Sequence, residues 1–169
     1  LVTQHAVEAV KHKGEAVGLD LGVKLPVCLS NGEAIAKDVG LDVLEEKARK
    51  AQRRLSKATK GSQRRNKAKQ RLADIKRKQA RRRTARTHAI TTELTRRFSF
   101  IAIEDLKLKN MTKTAKGDAE KPGKKVKQKS GLNRAILNVS MYKIREQLEY
   151  KSEKSGTIIE TVDPKYTSQ

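Results

Sequence analysis

Tryptophan is absent from these 169 residues, and aromatic side chains make up only 3% of them. A platform of rings on which successive bases stack is therefore an unpromising binding mode for this chain. The one cysteine, Cys28, excludes an internal disulfide and a cysteine-built metal cage within the chain. It fits a reducing compartment. No apolar run approaches the ~20 residues that span a bilayer. Acidic residues are scarce too. Nineteen Asp and Glu stand against 40 Lys and Arg, giving a net charge of +21 and a pI of about 10.3. Such a field is of little use to an enzyme of small neutral substrates. It points to a polyanion, and without a membrane segment that polyanion is nucleic acid rather than a lipid surface.

The excess charge is localised. Residues 1–40 carry a net −1, 41–98 a net +16, 99–106 a net −2, 107–130 a net +7 and 131–169 a net +1. Two segments thus hold all of it, and the near-neutral remainder holds most of the β-like apolar runs. The pattern is that of a neutral core with two basic appendages, and the length suffices for one domain with a real core.

Residues 1–14 read as the end of an upstream segment or linker, and 15–169 as the domain. Ala16 to Val23 is apolar apart from Asp20 and predicts a buried strand. Val27-Cys28-Leu29-Ser30 follows as a second strand after a turn at Lys24-Leu25-Pro26. Asn31-Gly32 is a hairpin signal leading into a third strand, Glu33 to Ala36. From Leu41 the period changes. Leu41, Leu44, Ala48, Ala51, Leu55 and Ala58 form the apolar stripe of a helix whose other faces are basic. Gly61-Ser62 breaks it. A second helix runs from about Gln63 to Arg97, with Ala68, Leu72, Ile75, Ala89-Ile90 and Leu94 inside. Its polar stretch 76–87 is expected to project. Residues 41–98 thus predict a long basic helical hairpin inserted between strands. Phe98 to Ile103 is a fourth strand ending in Glu104-Asp105. Residues 107–130 are Lys-rich with Gly117, Pro122 and Gly123, and predict a mobile basic loop. Asn133 to Ser155 predicts one helix, ended by Gly156, and Thr157 to Val162 a fifth strand. The element order predicts an α/β fold with a mixed sheet covered by helices, of RNase H-like type.

Asp20 is the most informative residue. A carboxylate in an apolar strand costs several kcal/mol unless something positive faces it. The plain alternative is a strand-edge Asp that meets solvent or a lysine. Glu104 ends the strand that follows the hairpin, and the first and fourth strands of such a sheet are commonly neighbours. Two facing carboxylates repel unless a cation lies between them, and Mg²⁺ takes one or two carboxylates with water and substrate phosphate. Alone, Glu104-Asp105 reads as an ordinary polar strand terminus.

Gly18-Leu19-Asp20-Leu21-Gly22-Val23-Lys24, Ile103-Glu104-Asp105-Leu106, Leu148-Glu149-Tyr150-Lys151 and Val162-Asp163-Pro164-Lys165-Tyr166-Thr167-Ser168-Gln169 together resemble the TnpB (OrfB) nucleases of bacterial insertion sequences, relatives of the miniature type V CRISPR effectors. Gln52-Arg53-Arg54-Leu55-Ser56 and Arg64-Arg65-Asn66-Lys67-Ala68 look like the family as well. The resemblance runs in order along nearly the whole chain. It implies a RuvC-like, RNase H-type domain cleaving DNA under RNA guidance by metal-assisted hydrolysis, with Asp20 and Glu104 as the first two catalytic acids and ligands of Mg²⁺ (or Mn²⁺). It implies DNA and a guide RNA as partners, and a cytoplasmic, nucleoid-associated location in a bacterium or archaeon. In the family a Cys-x-x-Cys zinc ribbon and a third acid, an Asp, follow the Thr-Ser-Gln motif. Neither the Zn²⁺ ligands nor that Asp lies within these residues, so the chain is expected to be a piece of a nuclease, with a RuvC-like domain incomplete at its C-terminus. Asp163, before Pro164, matches a non-catalytic position and reads as a turn residue.

Arg53, Arg54, Arg64, Arg65, Lys67, Arg81, Arg82 and Arg83 fall on predicted helices with little acidic compensation. Solvated helix faces usually mix both signs. These residues predict contacts to phosphate, giving affinity with little sequence preference and a steep salt dependence. In this family sequence would be read by guide pairing. His5, His12 and His88 have no metal-ligand spacing, and Cys28 reads as a small core residue. The run Arg81 to Arg83 could equally pass for a nuclear signal. Two rival readings remain. An actin-like ATPase also uses a strand Asp followed by Gly and a hairpin, but Val23-Lys24 stands where its small hydroxyl residues belong. A non-catalytic basic RNA- or DNA-binding protein, or an inactive remnant of such a nuclease, explains the charge but leaves Asp20 without a role.

Overall fold

A computed structural model describes residues 13–118 and 120–163. His5, His12 and the closing segment from Pro164 to Gln169 lie outside them. Ten elements follow in order: β1 (Glu15–Asp20), β2 (Val27–Leu29), β3 (Ala34–Ile35), α1 (Val39–Lys57), α2 (Gln63–Arg97), β4 (Phe98–Glu104), α3 (Leu108–Met111), α4 (Val126–Val139), α5 (Met141–Ser155) and β5 (Ile158–Val162). They divide into two compact units, one of residues 37–86 and one of the remainder.

In the larger unit the five strands form one mixed sheet in the order β3-β2-β1-β4-β5. The first three strands form a meander, with β1–β2 and β2–β3 antiparallel. Asn31-Gly32 makes its hairpin by a three-residue loop rather than a two-residue turn. Gly32 N–H donates to Leu29 O (3.0 Å) and Leu29 N–H to Glu33 O (2.8 Å). Gly32 holds φ at 88°, the left-handed position such a loop requires. Strands β4 and β5 pair parallel to β1 and to β4 respectively.

Alternation along the central strands buries Val17 and Leu19 of β1 with Ile101 and Ile103 of β4. They join Ile90 and Leu94 of α2, Ile136 of α4, and Met141, Ile144 and Leu148 of α5 in one apolar cluster. The sequence named Ala89, Ile90 and Leu94 as the inner side of α2. Ala89 is exposed, and a threonine row takes the remaining inner places: Thr87, Thr91 and Thr95, at four-residue spacing, are at most 4% exposed. The Thr91 hydroxyl donates within reach of Thr87 O (2.8 Å) and of buried Gln147 Oε1 (3.0 Å), and accepts from Lys151 Nζ (2.7 Å). Thr157 donates to Thr95 O and Phe98 O, both at 2.9 Å. The hydroxyls of Thr91, Thr95 and Thr157 each find a partner, which makes a polar seam tolerable beside an apolar core.

Two expectations are corrected here. The predicted helix 133–155 is two helices that meet at Ser140, whose φ is 62°. On one straight helix Ile136 would lie about 110° around from the stripe of Met141, Ile144 and Leu148. The break turns it back, so that Ile136 joins the same cluster. The segment 107–130 is not a structureless loop. It contains α3, a bridge between Gly117 and Pro122 and the first turn of α4. From α4, Lys129 Nζ donates to Met111 O (2.7 Å) and Asn133 Nδ2 to Thr112 O (2.8 Å) and Lys113 O (3.2 Å). Those bonds satisfy the carbonyls that end α3.

The unit of residues 37–86 is the helical hairpin. Asp38 caps α1, accepting from Gly40 N–H at 2.9 Å. Every stripe position named from the sequence, Leu41, Leu44, Ala48, Ala51, Leu55 and Ala58, is buried or half-buried. On α2 the facing positions are Ala68, Leu72, Ile75 and Gln79, and Gln79 is 5% exposed. The polar stretch therefore does not simply project: Gln79 packs inward, and Arg82 pairs with Asp38 through two bonds of 2.6 and 2.7 Å.

Candidate functional site

The β1–β4 ladder pairs Leu19 with Ile103 at its C-terminal end. One position further along each strand stand Asp20 and Glu104, side by side at the C-terminal ends of two adjacent parallel strands. Paired residues in a parallel ladder share a face. Leu19 and Ile103 point into the core, so Asp20 and Glu104 lie on the opposite face, behind Gly18 and Ala102. The small residues there leave room in front of the acids. Gly18 also lies close under β2, where its N–H donates to Ser30 Oγ at 2.9 Å.

Asp20 is exposed and Glu104 half-buried. The sequence argument that an apolar strand forces a cation onto Asp20 therefore fails as stated. The strand ends at Asp20, before Leu21-Gly22-Val23, and water reaches the carboxylate. Gly22 shows why the strand stops. A Cβ there would sit 2.8 Å from Leu25 O, because the chain folds back tightly towards Pro26. What the strand ends do provide is proximity.

Asp105 has a different role from its neighbour. Its side chain follows the parity of Ile101 and Ile103, on the face where α5 packs, and there accepts from Arg145 NH1 at 2.6 Å. Arg145 Nε also bonds Glu149 at 2.9 Å. The two carboxylates, Asp105 first, raise the guanidinium's pKa further. Asp105 N–H continues the ladder to Val162 O at 2.9 Å. Sequence reasoning did not single out Arg145. An arginine one residue after buried Ile144 on a core helix was the available signal. Among the described residues no three His, Cys, Asp or Glu side chains group closely enough to hold a metal ion. Cys28 is half-buried, partners Asp20 in the β1–β2 register, and is not deep core.

The hairpin unit carries 20 Lys and Arg against five Asp and Glu. Of the predicted phosphate ligands, Arg53, Arg54, Arg64, Lys67 and Arg81 are exposed. Arg65 is half-buried and donates to Leu55 O (2.9 Å) and Ala58 O (3.1 Å), capping the end of α1. The fork of Arg82 is given to Asp38 and holds that carboxyl below its usual range, helped by the Gly40 amide. Arg83 is half-buried and partnered. Six of the eight are thus exposed, Arg82 among them, and Arg65 and Arg82 are occupied with holding the hairpin together. No helix among the described residues is long and apolar enough to cross a membrane.

Fold and site together define a class: a mixed α/β chain with carboxylates at the ends of adjoining parallel strands, joined to a strongly basic helical unit. The particular family follows from comparison. The profile of the OrfB_IS605 family, described as "Probable transposase", matches residues 1–115, and the chain belongs to that family. It is 38% identical over 153 residues to "Putative RNA-guided DNA endonuclease InsQ" of Escherichia coli (strain K12). It is 32% identical over 148 residues to "Putative RNA-guided DNA endonuclease" of Streptomyces pristinaespiralis. These alignments cover 90% and 88% of the chain but 38% and 33% of the relatives, so the chain spans about a third of their length.

Proposed function

We propose that this chain is part of the catalytic core of an RNA-guided DNA endonuclease, with an RNase H-like, RuvC-like sheet and an inserted basic hairpin. The observation that carries the reading is the register that sets Asp20 beside Glu104 on one face. Support for the fold comes from the strand order, three antiparallel strands followed by two parallel ones across helical connections. Two carboxylates fit a hard divalent cation such as Mg²⁺ or Mn²⁺, which keeps water and substrate oxygens for its other positions. Bound there, such an ion would activate water and stabilise the leaving oxygen of a phosphodiester. Asp20 and Glu104, at the ends of two adjacent paired strands, would hold it. Arg53, Arg54, Arg64, Lys67 and Arg81 hold nucleic-acid backbone, while Arg65 and Arg82 keep the helices that present them in place. DNA and a guide RNA are the partners, and the nucleoid of a prokaryotic cytoplasm is the setting.

The test is Asp20→Asn and Glu104→Gln in the full-length protein. Each is expected to abolish Mg²⁺-dependent cleavage and leave affinity for DNA and RNA unchanged. Cleavage that survives either change sinks the metal assignment. A second reading, nucleic-acid binding without catalysis, draws on the concentration of 20 Lys and Arg in the hairpin unit. It predicts that the intact protein retains DNA under Mg²⁺ without cutting it.

A further inference from the structure

Two consecutive acids end β4, and the chemistry proposed above needs only one of them on the open face. We infer that Arg145 is a positioning residue for Glu104: by holding Asp105 on the helix-packed face, it fixes the opposite orientation of Glu104 at the strand end. The inference rests on the reading of Asp20 and Glu104 as cation ligands.

The strand itself sets the alternation only as far as its ladder extends. Asp105 is the last residue still bonded to β5, through Val162 O, and Leu106 N–H already turns back to Glu104 O at 2.9 Å. A terminal residue of this kind frays, and a frayed end can rotate either carboxylate outwards. Arg145 opposes that rotation from a fixed base. Its neighbour Ile144 is 1% exposed and Leu148, one turn on, is fully buried, so the backbone that carries it belongs to the core. Glu149, one turn away, orients the guanidinium by its Nε and leaves NH1 for Asp105. Core helix, Arg145, Asp105 and the β4 backbone form a continuous path to Glu104. Partners of this kind, outside the ligand shell, commonly set ligand affinity.

The experiment follows backbone amides of the ¹⁵N-labelled full-length protein during titration with Mn²⁺, whose paramagnetism broadens signals near a bound ion. In the parent chain, broadening is expected around Asp20 and around Glu104. In Arg145→Ala the apparent Mn²⁺ affinity at Ile103 and Glu104 is expected to fall about tenfold, with faster hydrogen exchange at the Asp105 amide, and Arg145→Lys is expected to restore part of both. Asp105→Asn, which spares the Arg145–Glu149 bond, gives the same readout should Arg145→Ala lose signal dispersion. Glu153→Gln, at an exposed position further along α5, serves as the control and leaves the Glu104 signals near parent values. Titrations of Arg145→Ala and Asp105→Asn that superimpose on the parent's overturn the inference and leave the ligand assignment standing. A parent chain that shows no broadening at either acid overturns both.

Discussion

Asp38 caps α1 through the Gly40 amide and grips Arg82 with the same carboxylate, whose side chain is only 9% exposed. Arg82 itself is half in water, so the ion pair adds little and the cap carries most of the effect. Asp38→Ala is expected to cost about 1 kcal/mol in urea unfolding, and Asp38→Asn, which keeps the cap, clearly less. The pH dependence has a definite sign. The arginine holds the folded-state pKa of Asp38 below its ordinary value, so the stabilisation is complete above the normal carboxylate range. It is lost as pH falls through the lowered folded value. Urea midpoints measured from neutral to acid pH should fall more steeply for the parent chain than for Asp38→Asn. Thr91 offers a second test. Thr91→Val keeps the shape but deprives buried Gln147 and Lys151 of a partner, and should cost about 1–2 kcal/mol.

Element by element, the sequence was most readable where one residue class repeats at one period. The stripe on α1 and the Asn31-Gly32 hairpin came out as read, because each depends on local geometry. Asp20 beside Glu104 was legible only through the convention that the strands flanking an insertion are neighbours. The burial of Asp20 was misjudged because nothing local marks where β1 stops. Part of the inner face of α2 escaped because threonine is not an apolar residue; Thr91 is buried where Gln147 and Lys151 of α5 bond its hydroxyl, and Thr95 where Thr157 bonds its carbonyl. The break at Ser140 has no glycine or proline to announce it; tertiary packing of Ile136 imposes it. A non-glycine residue at φ 62° stores about 1 kcal/mol of strain. Ser140→Gly should relieve part of it, against the larger chain entropy glycine brings to the unfolded state. A net gain of about 0.5 kcal/mol in urea unfolding is expected, and a loss would show that the serine side chain has a packing role.

For the molecule as a whole, charge is segregated rather than averaged. The hairpin unit holds 20 of the 40 Lys and Arg, and the phosphate binding proposed for its exposed members would release condensed counterions. Binding to duplex DNA should therefore weaken along a straight line in log salt, with a slope of about −0.9 per phosphate neutralised. Replacing Arg53, Arg54 and Arg64 together by Gln should flatten that slope by about two to three units, whatever the DNA sequence. An unchanged slope would move the contact surface elsewhere.

The central pairing of the sheet joins Val17 to Ile101, more than eighty positions apart, and this has a consequence for the order of folding. Closing so long a loop by diffusion is slow, since its entropy must be spent before any strand bond forms. Residues 37–86 shorten the search, because their own contacts form a compact unit without waiting for the sheet. On the ribosome, all residues of that unit are made before Ile101, so they leave the tunnel ahead of it and collapse before the strand pair closes. Replacing buried Ala48 and Ala51 with glycine should therefore slow the refolding of the sheet, although neither residue belongs to it. Stopped-flow refolding, followed through the protection of the Ile101 amide, would register the delay.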